Sequence, residues 1–409
     1  MRMDFTPRVF NKIDAQQLVK EFGSPLYVYD EEILRQRCTE MRTLLKYPKF
    51  RVNYSVKANT NVEILKIVRE EGLDVDAMSP GEMFLEEKAG FKSENIMFIG
   101  NNVSMEEMKY AVDRGILVSV DSLNQLEMLG EVNRGGQACV RINPGIGAGH
   151  HEKVVTGGKK AKFGVAVEDL PLALEIAARY DMTITALNQH IGSLFLEADP
   201  YIEAVQRMLA IAVDLPSVTT LDFGGGMGIP YRKDSEPRLD LVDFGQKMDK
   251  VISEWVAANR EITVRIEPGR YVVAESSAIL GTVHSVKYNY NTCFVGTDVG
   301  FNVLARPVMY DSYHEITVAP HDDRELKMCE MPVYIVGNIC ESGDILAHDR
   351  PFPVMEQKDV VVIHDAGAYG FAMASNYNAR PLPAEVLITL NGDVRVIRRR
   401  QTLEDLWAE

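Results

Sequence analysis

Cysteine, long apolar runs and positive charge are all scarce in this chain, and each shortage excludes something. Five cysteines occur in 409 residues, at 38, 139, 293, 329 and 340. They form neither a C-x-x-C pair nor a Cys/His ligand spacing, so no disulfide framework and no metal site is expected. No apolar run approaches the roughly 20 residues that span a bilayer. The start, Met-Arg-Met-Asp-Phe-Thr-Pro-Arg, has no apolar leader segment. With 44 Lys and Arg against 59 Asp and Glu, the net charge is −15. That argues against nucleic acid or an anionic membrane as partner, because both are recognised by clustered cations. Lys159-Lys160 and Arg398-Arg399-Arg400 are too short to reverse the balance. The expected setting is a reducing cytoplasm, and the expected partner is a small molecule.

Apolar residues are plentiful by contrast. At 46% hydrophobic over 409 residues, the chain can bury a large core and exceeds the usual size of one domain. Short apolar strands are expected at 51–56, 72–77, 96–99, 117–120, 138–142, 184–190, 219–223 and 263–267. Amphipathic helices are expected between them at 61–71, 80–89, 104–114, 122–132, 170–180, 200–213 and 241–258. That alternation is the pattern of repeated βα units, and eight strands favour closure into a (β/α)8 barrel. After about residue 275 the texture becomes β-branched and alternating, at 278–288, 291–295, 314–318, 331–336, 360–363, 385–390 and 394–398. Asn391-Gly392-Asp393 marks a hairpin between the last two. The fold class is therefore α/β, a barrel over 31–275 followed by an all-β, Greek-key-like domain over 276–409. Residues 1–30, through Tyr27-Val-Tyr-Asp30, are expected to lend that domain a strand. The glycine-rich loop 145–164 is expected to be mobile.

Chemistry concentrates where barrel strands end, the face on which βα loops open. Tyr54-Ser-Val-Lys57-Ala-Asn59 places one lysine at the end of the first such strand, where an amine can condense with an aldehyde. Asp222-Phe-Gly224-Gly225-Gly226-Met-Gly228 offers backbone N–H groups to a phosphate without side-chain obstruction. A glycine triplet alone reads as a flexible turn, and the Glu/Arg pair of Glu267-Pro-Gly-Arg270 alone reads as a salt bridge. His190-Ile-Gly-Ser193 adds a flat imidazole and a small hydroxyl. Read together, these residues supply what pyridoxal phosphate requires: an amine for its aldehyde, a phosphate cradle, and a carboxylate, Glu267, for its ring nitrogen.

These motifs, with Asp76-Ala-Met-Ser79, His151 to Gly157, Lys162-Phe-Gly164, Arg306-Pro-Val-Met-Tyr310, Cys340-Glu-Ser-Gly-Asp344, Asp365-Ala-Gly-Ala-Tyr369-Gly370 and Ser375-Asn-Tyr-Asn378, occur in an order with a known counterpart. Over nearly its full length the chain resembles the fold-type III pyridoxal-phosphate decarboxylases of the alanine-racemase-like barrel family, above all the branch acting on diaminopimelate. The resemblance implies that Lys57 carries the cofactor and His190 stacks on it. It also implies Asp76 in the cofactor site, Ser193, Gly224, Gly225, Gly226 and Tyr369 at the phosphate, and Glu267 at the ring nitrogen. Arg270, Arg306 and Tyr310 would hold the substrate's distal carboxylate, with Tyr369 also at the substrate. Glu341 would receive the distal ammonium, and Cys340 would supply a proton. Cys340 lies outside the barrel segment, so the resemblance implies a homodimer whose subunits share active sites.

Opposite charges at the far end of the site suit a substrate with both an extra carboxylate and an extra ammonium. Gly100-Asn-Asn-Val-Ser104, Ile146-Gly-Ala-Gly-His150 and Leu194-Phe195 depart from the branch pattern, and they bear on substrate choice rather than on the cofactor. Sibling decarboxylases of ornithine, lysine, carboxynorspermidine or a carrier-linked glutamyl group therefore stay open as alternatives. A non-catalytic regulatory relative is a remoter one, since such proteins tend to lose the lysine or the cysteine.

Overall fold

The computed structural model describes residues 8–143 and 162–407. The 151–157 motif, and most of the 145–164 loop, lie outside them. The chain divides into two compact units, one of residues 35–230 and 237–272, the other of residues up to 34, 231–236 and 273 onward. Among the described residues no helix is long and apolar enough to cross a membrane.

The first unit is a closed barrel of eight parallel strands. They are Phe50–Ser55, Asp74–Ala77, Ile96–Phe98, Leu117–Val120, Gln137–Asn143, Thr183–Asn188, Thr220–Asp222 and Thr263–Ile266. Each pairs with the next, and Val264 pairs with Phe50 to close the ring. All eight coincide with expected strands to within two residues. The differences matter at the C-terminal ends, where the strands stop before Lys57, His190 and Glu267. Inter-strand pairing gives way there to loop contacts: the Gln189 N–H bonds the Asp222 carbonyl at 2.9 Å and the Glu267 N–H bonds the Gly224 carbonyl at 3.0 Å.

The coat helices begin and end where local chemistry requires. Pro80–Ala89 starts behind Ser79, whose hydroxyl accepts the Glu82 N–H, and stops at Gly90 in the left-handed region. Met105–Val112 opens on a reciprocal Ser104/Glu107 capping box.

Residues two apart on a strand share a face, and in this barrel that face is polar at both ends. At one end Asp74 binds Arg51, Asn95 and Arg265, while Arg265 also donates to Asn53 at 2.7 Å. Two residues further on come Ser55 and Asp76 on two of these strands and Glu267 just past the end of the third. The first end is a structural plug, because every charge in it is answered. The second is the candidate site.

The second unit is a β-sheet built around the long strand Ser277–Asn289. In hydrogen-bonded order it runs Ile345–Arg350, Val333–Val336, Thr292–Thr297, Ser277–Asn289, Leu26–Asp30, Ala384–Ile388 and Val394–Arg398. Val360–Ile363 also pairs with the long strand, and Ile316–Ala319 with Val360–Ile363. Leu26–Asp30 lies between Ser277–Leu280 and Ala384–Ile388 as a central strand. Leu26, Val28, Leu280, Val360, Val362, Val386 and Ile388 form one buried cluster with Leu18 of the helix Ala15–Phe22. The last hairpin turns at Gly392, φ +85°, as expected.

Several elements went unread in the sequence, among them the helices Ala15–Phe22 and Glu31–Arg42. Ile345–Arg350 carries His348, Asp349 and Arg350 and so lacks an apolar pattern. Arg306–Tyr310 is a five-residue helix, too short for periodicity to register.

Candidate active site

Lys57 sits in the 3-10 turn Val56–Ala58, two residues past its strand, and is half-buried. The turn is held from both sides. The Tyr54 hydroxyl donates to the Asn59 carbonyl at 3.1 Å, and the Ser55 N–H donates to the Pro268 carbonyl at 3.3 Å. The Ser55 hydroxyl reaches Asp76 Oδ2 at 2.8 Å.

The Lys57 cation faces a buried set of acids. Burial first, and then the charge of Glu267, hold Asp76 well above the usual carboxylate range, while Lys57 pulls it back. Glu267 is raised well above its ordinary value by burial and by Asp222, against the pull of Lys57 and Arg141. Asp222 is raised as well, again by burial, although the Gly224 N–H at 2.9 Å opposes the shift. Burial and the mutual repulsion of the two carboxylates thus both favour the protonated form of this pair. Asn188 Nδ2 donates to Glu267 Oε1 at 2.9 Å and fixes its plane.

His190 accepts the Gly225 N–H at Nδ1, at 3.1 Å, so that nitrogen holds a lone pair and the neutral ring carries its proton on Nε2. Burial, then the positive charges of Lys57 and Arg141, push the imidazole well below its ordinary value and keep it neutral. Ser193 accepts from Arg270 Nη2 at 3.2 Å.

The glycine run admits no side chain. A Cβ on Gly224 (φ +75°) would lie 2.2 Å from the Gln189 carbonyl oxygen, one on Gly225 2.0 Å from that of Glu267, and one on Gly226 (φ +111°) 2.4 Å from that of Gly192. The Tyr201 hydroxyl braces the run through the Gly224 carbonyl at 2.8 Å.

In the barrel unit the structure thus brings together Lys57, Asp76, His190, Ser193, Gly224, Gly225, Gly226, Glu267 and Arg270. The remaining expected residues belong to the β unit. Arg306 and Tyr310 stand at i and i+4 of one short helix, and so on one face of it. Cys340 and Glu341 occupy an exposed loop whose anchor is Asp344. Its carboxylate accepts the N–H groups of Phe301 at 2.7 Å and Ile339 at 2.8 Å. The Cys340 N–H donates to Asn378 Oδ1, and the Tyr377 hydroxyl donates to Glu341 Oε1, both at 2.8 Å. Tyr369 and Asp365 hold φ of +57° and +58° in the Asp365–Gly370 loop, uncommon for residues other than glycine and costly for a tyrosine.

Sequence reasoning missed Asn188, Arg141, Glu82 and Glu86. The first two were legible as polar residues inside otherwise apolar strands. Glu86 resembled any solvated helix charge, yet it is fully buried.

These residues fit pyridoxal phosphate. A backbone surface closed to side chains suits a phosphate, and the buried Glu267 carboxyl, its plane fixed by Asn188, suits a protonated ring nitrogen. The family model described as the pyridoxal-binding domain of pyridoxal-dependent decarboxylases matches residues 31–274. A diaminopimelate decarboxylase of Methanothermobacter thermautotrophicus is 41% identical over 96% of this chain and 93% of its own. That of Escherichia coli K12 is 35% identical over 96% and 95%. The solved diaminopimelate decarboxylase of Helicobacter pylori, in complex with L-lysine, superposes with a TM-score of 0.88 at 32% identity, covering 96% of this chain and 98% of that one. The chain belongs to the diaminopimelate decarboxylase branch of the pyridoxal-dependent decarboxylases. It is an amino-acid decarboxylase, and its cofactor is pyridoxal 5'-phosphate.

Two outcomes follow from this geometry. Gly225→Ala should keep the far-ultraviolet circular dichroism of the fold yet weaken pyridoxal phosphate binding about tenfold or more, because the new methyl displaces the Glu267 backbone. Unchanged affinity in equilibrium dialysis would contradict the cradle. Glu86, next to Asp76 and Glu82, is pushed up to about 9 by burial from an ordinary 4.5. A folded-state value above the unfolded one means stability that is complete below pH 4.5 and is lost as pH rises towards 9. Glu86→Gln should remove that decline, up to about 1.4 kcal/mol per pH unit, so its advantage in urea midpoint over the wild type should grow across the interval. Parallel pH profiles would refute it.

Proposed function

We propose that the chain decarboxylates meso-2,6-diaminopimelate to L-lysine and carbon dioxide. The observation that carries this reading is the half-buried Lys57 cation set among buried carboxyls beside a backbone cradle. The near full-length likeness to diaminopimelate decarboxylases supports the choice of substrate. Pyridoxal phosphate, when bound, supplies an electron-accepting ring, and the chain's residues do the rest. Lys57 would hold the cofactor through its amine, and Asp76 and Glu82 would stabilise the protonated form of that amine whenever it is free. Glu267, steadied by Asn188, holds the proton of the ring nitrogen. Neutral His190 would lie against the ring face, and Ser193, Gly224, Gly225, Gly226 and Tyr369 would receive the phosphate.

Arg270, Arg306 and Tyr310 take the distal carboxylate and Glu341 the distal ammonium, with Tyr369 beside them. Two opposite charges at the distal end distinguish this substrate from one with an amine alone. Cys340 holds the proton delivered to carbon after carbon dioxide leaves. In this reading residues 31–275 form the cofactor domain and 276–409 the β domain, joined by a strand from residues 1–30. The enzyme works as a cytoplasmic homodimer in which each subunit lends Cys340 to its partner's site.

Carbon dioxide release from meso-diaminopimelate, measured beside L-lysine, L-ornithine and carboxynorspermidine, tests the substrate; turnover of one of the others in its place overturns it. Lys57→Ala should lose the cofactor's visible band together with activity. Cys340→Ala should keep the band and lose about a hundredfold or more in turnover. Mixing the two inactive variants should restore activity that neither has alone, and failure to restore it would remove the shared site.

A further inference from the structure

Arg306 and His314 are both buried, at 2% and 1% exposure. Arg306 Nη1 lies 2.7 Å from His314 Nε2. A guanidinium can only donate, so Nε2 must hold a lone pair, which makes the imidazole neutral with its proton on Nδ1. That proton has its own acceptor, the His364 carbonyl, at 2.8 Å. The sheet fixes both ends of the relay. His364 follows the strand Val360–Ile363, whose Ile363 pairs with Ile316, and the His364 N–H bonds the Glu315 carbonyl at 2.9 Å. The His314 carbonyl is gripped by Arg350 Nη1 at 2.8 Å. Tyr231 completes the mount: its ring lies 4.6 Å from the Arg306 guanidinium carbon and meets the His314 ring edge-on at 5.3 Å. Ser312 Oγ stands 3.4 Å from Arg306 Nη2.

We propose that His314 is a positioning residue for substrate specificity, a neutral acceptor that orients the Arg306 guanidinium for the distal carboxylate of the substrate. The inference rests on the assignment of Arg306 to that carboxylate. Bidentate recognition depends on the plane of the guanidinium, and a long side chain that must be ordered on binding loses affinity in doing so. A carboxylate in place of His314 would orient Arg306 equally well but would cancel the charge on which the substrate depends. An uncharged imidazole orients it and leaves the charge intact.

L-lysine and cadaverine carry the same two amines and differ by the carboxylate alone, so they separate this role from a merely structural one. Holoenzymes of the wild type, His314→Leu, His314→Gln, His314→Glu and Arg306→Gln are titrated with each, following the cofactor absorbance, and KM and kcat are measured for meso-diaminopimelate. His314→Leu should weaken L-lysine about tenfold, leave cadaverine within about twofold, and raise KM more than it lowers kcat. His314→Gln, which keeps a neutral acceptor, should recover most of the loss, and His314→Glu should not. Equal weakening of both ligands by His314→Leu, or none, overturns the proposal. Should the leucine variant fail to fold, equal L-lysine binding by the Gln and Glu variants overturns it instead. If Arg306→Gln leaves the ratio of L-lysine to cadaverine affinity unchanged, the assignment of Arg306 falls and takes this proposal with it. A changed ratio there, beside an unaffected His314→Leu, overturns the role of His314 alone.

Discussion

The barrel site depends on one electrostatic constraint, a lysine cation held among carboxyl groups that burial alone would discharge. Asp76, Asp222 and Glu267 are each raised by desolvation, and Lys57 opposes the shift on Asp76 and Glu267. The balance keeps protons in place without cancelling the polarity of the site. A protonated ring nitrogen set against Glu267, as proposed, would satisfy the same balance.

That constraint can be met only because backbone comes close to backbone. With carbonyl oxygens 2.0 to 2.4 Å from any Cβ at Gly224, Gly225 or Gly226, the loop must be glycine to lie against Glu267, Gln189 and Gly192. The same closeness brings the Gly225 N–H to His190 and thereby sets the imidazole tautomer. The side-chain-free glycine run and the imidazole tautomer are thus consequences of one packing requirement.

The β unit solves a different problem, that of holding exposed or buried polar groups rigidly at loop ends. Asp344 spends both carboxylate oxygens on backbone N–H groups to brace the Cys340 loop. Arg350 and the His364 carbonyl clamp His314 behind Arg306. In each case a polar group is committed to position a neighbour. Such groups look unremarkable in a sequence, since their partners lie tens of residues away.

Sequence by itself determined the eight alternating strands, the helices between them and the hairpin at Gly392, and it singled out Lys57, His190, the glycine run and Glu267, which the barrel unit brings together. Each of those signals is local: apolar periodicity, an Asn-Gly turn, a glycine triplet, a reactive residue at a strand end. Tertiary structure alone decided that Glu86 is a buried acid rather than a solvated helix charge, that Asn188 steadies Glu267, and that Leu26–Asp30 is a central strand between partners some 250 and 360 residues away. It also decided that Arg306 is mounted on a neutral His314. The division has a physical cause: periodicity and turn chemistry act over a few residues, whereas desolvation and hydrogen-bond pairing depend on which distant segments the closed barrel and the sheet bring together.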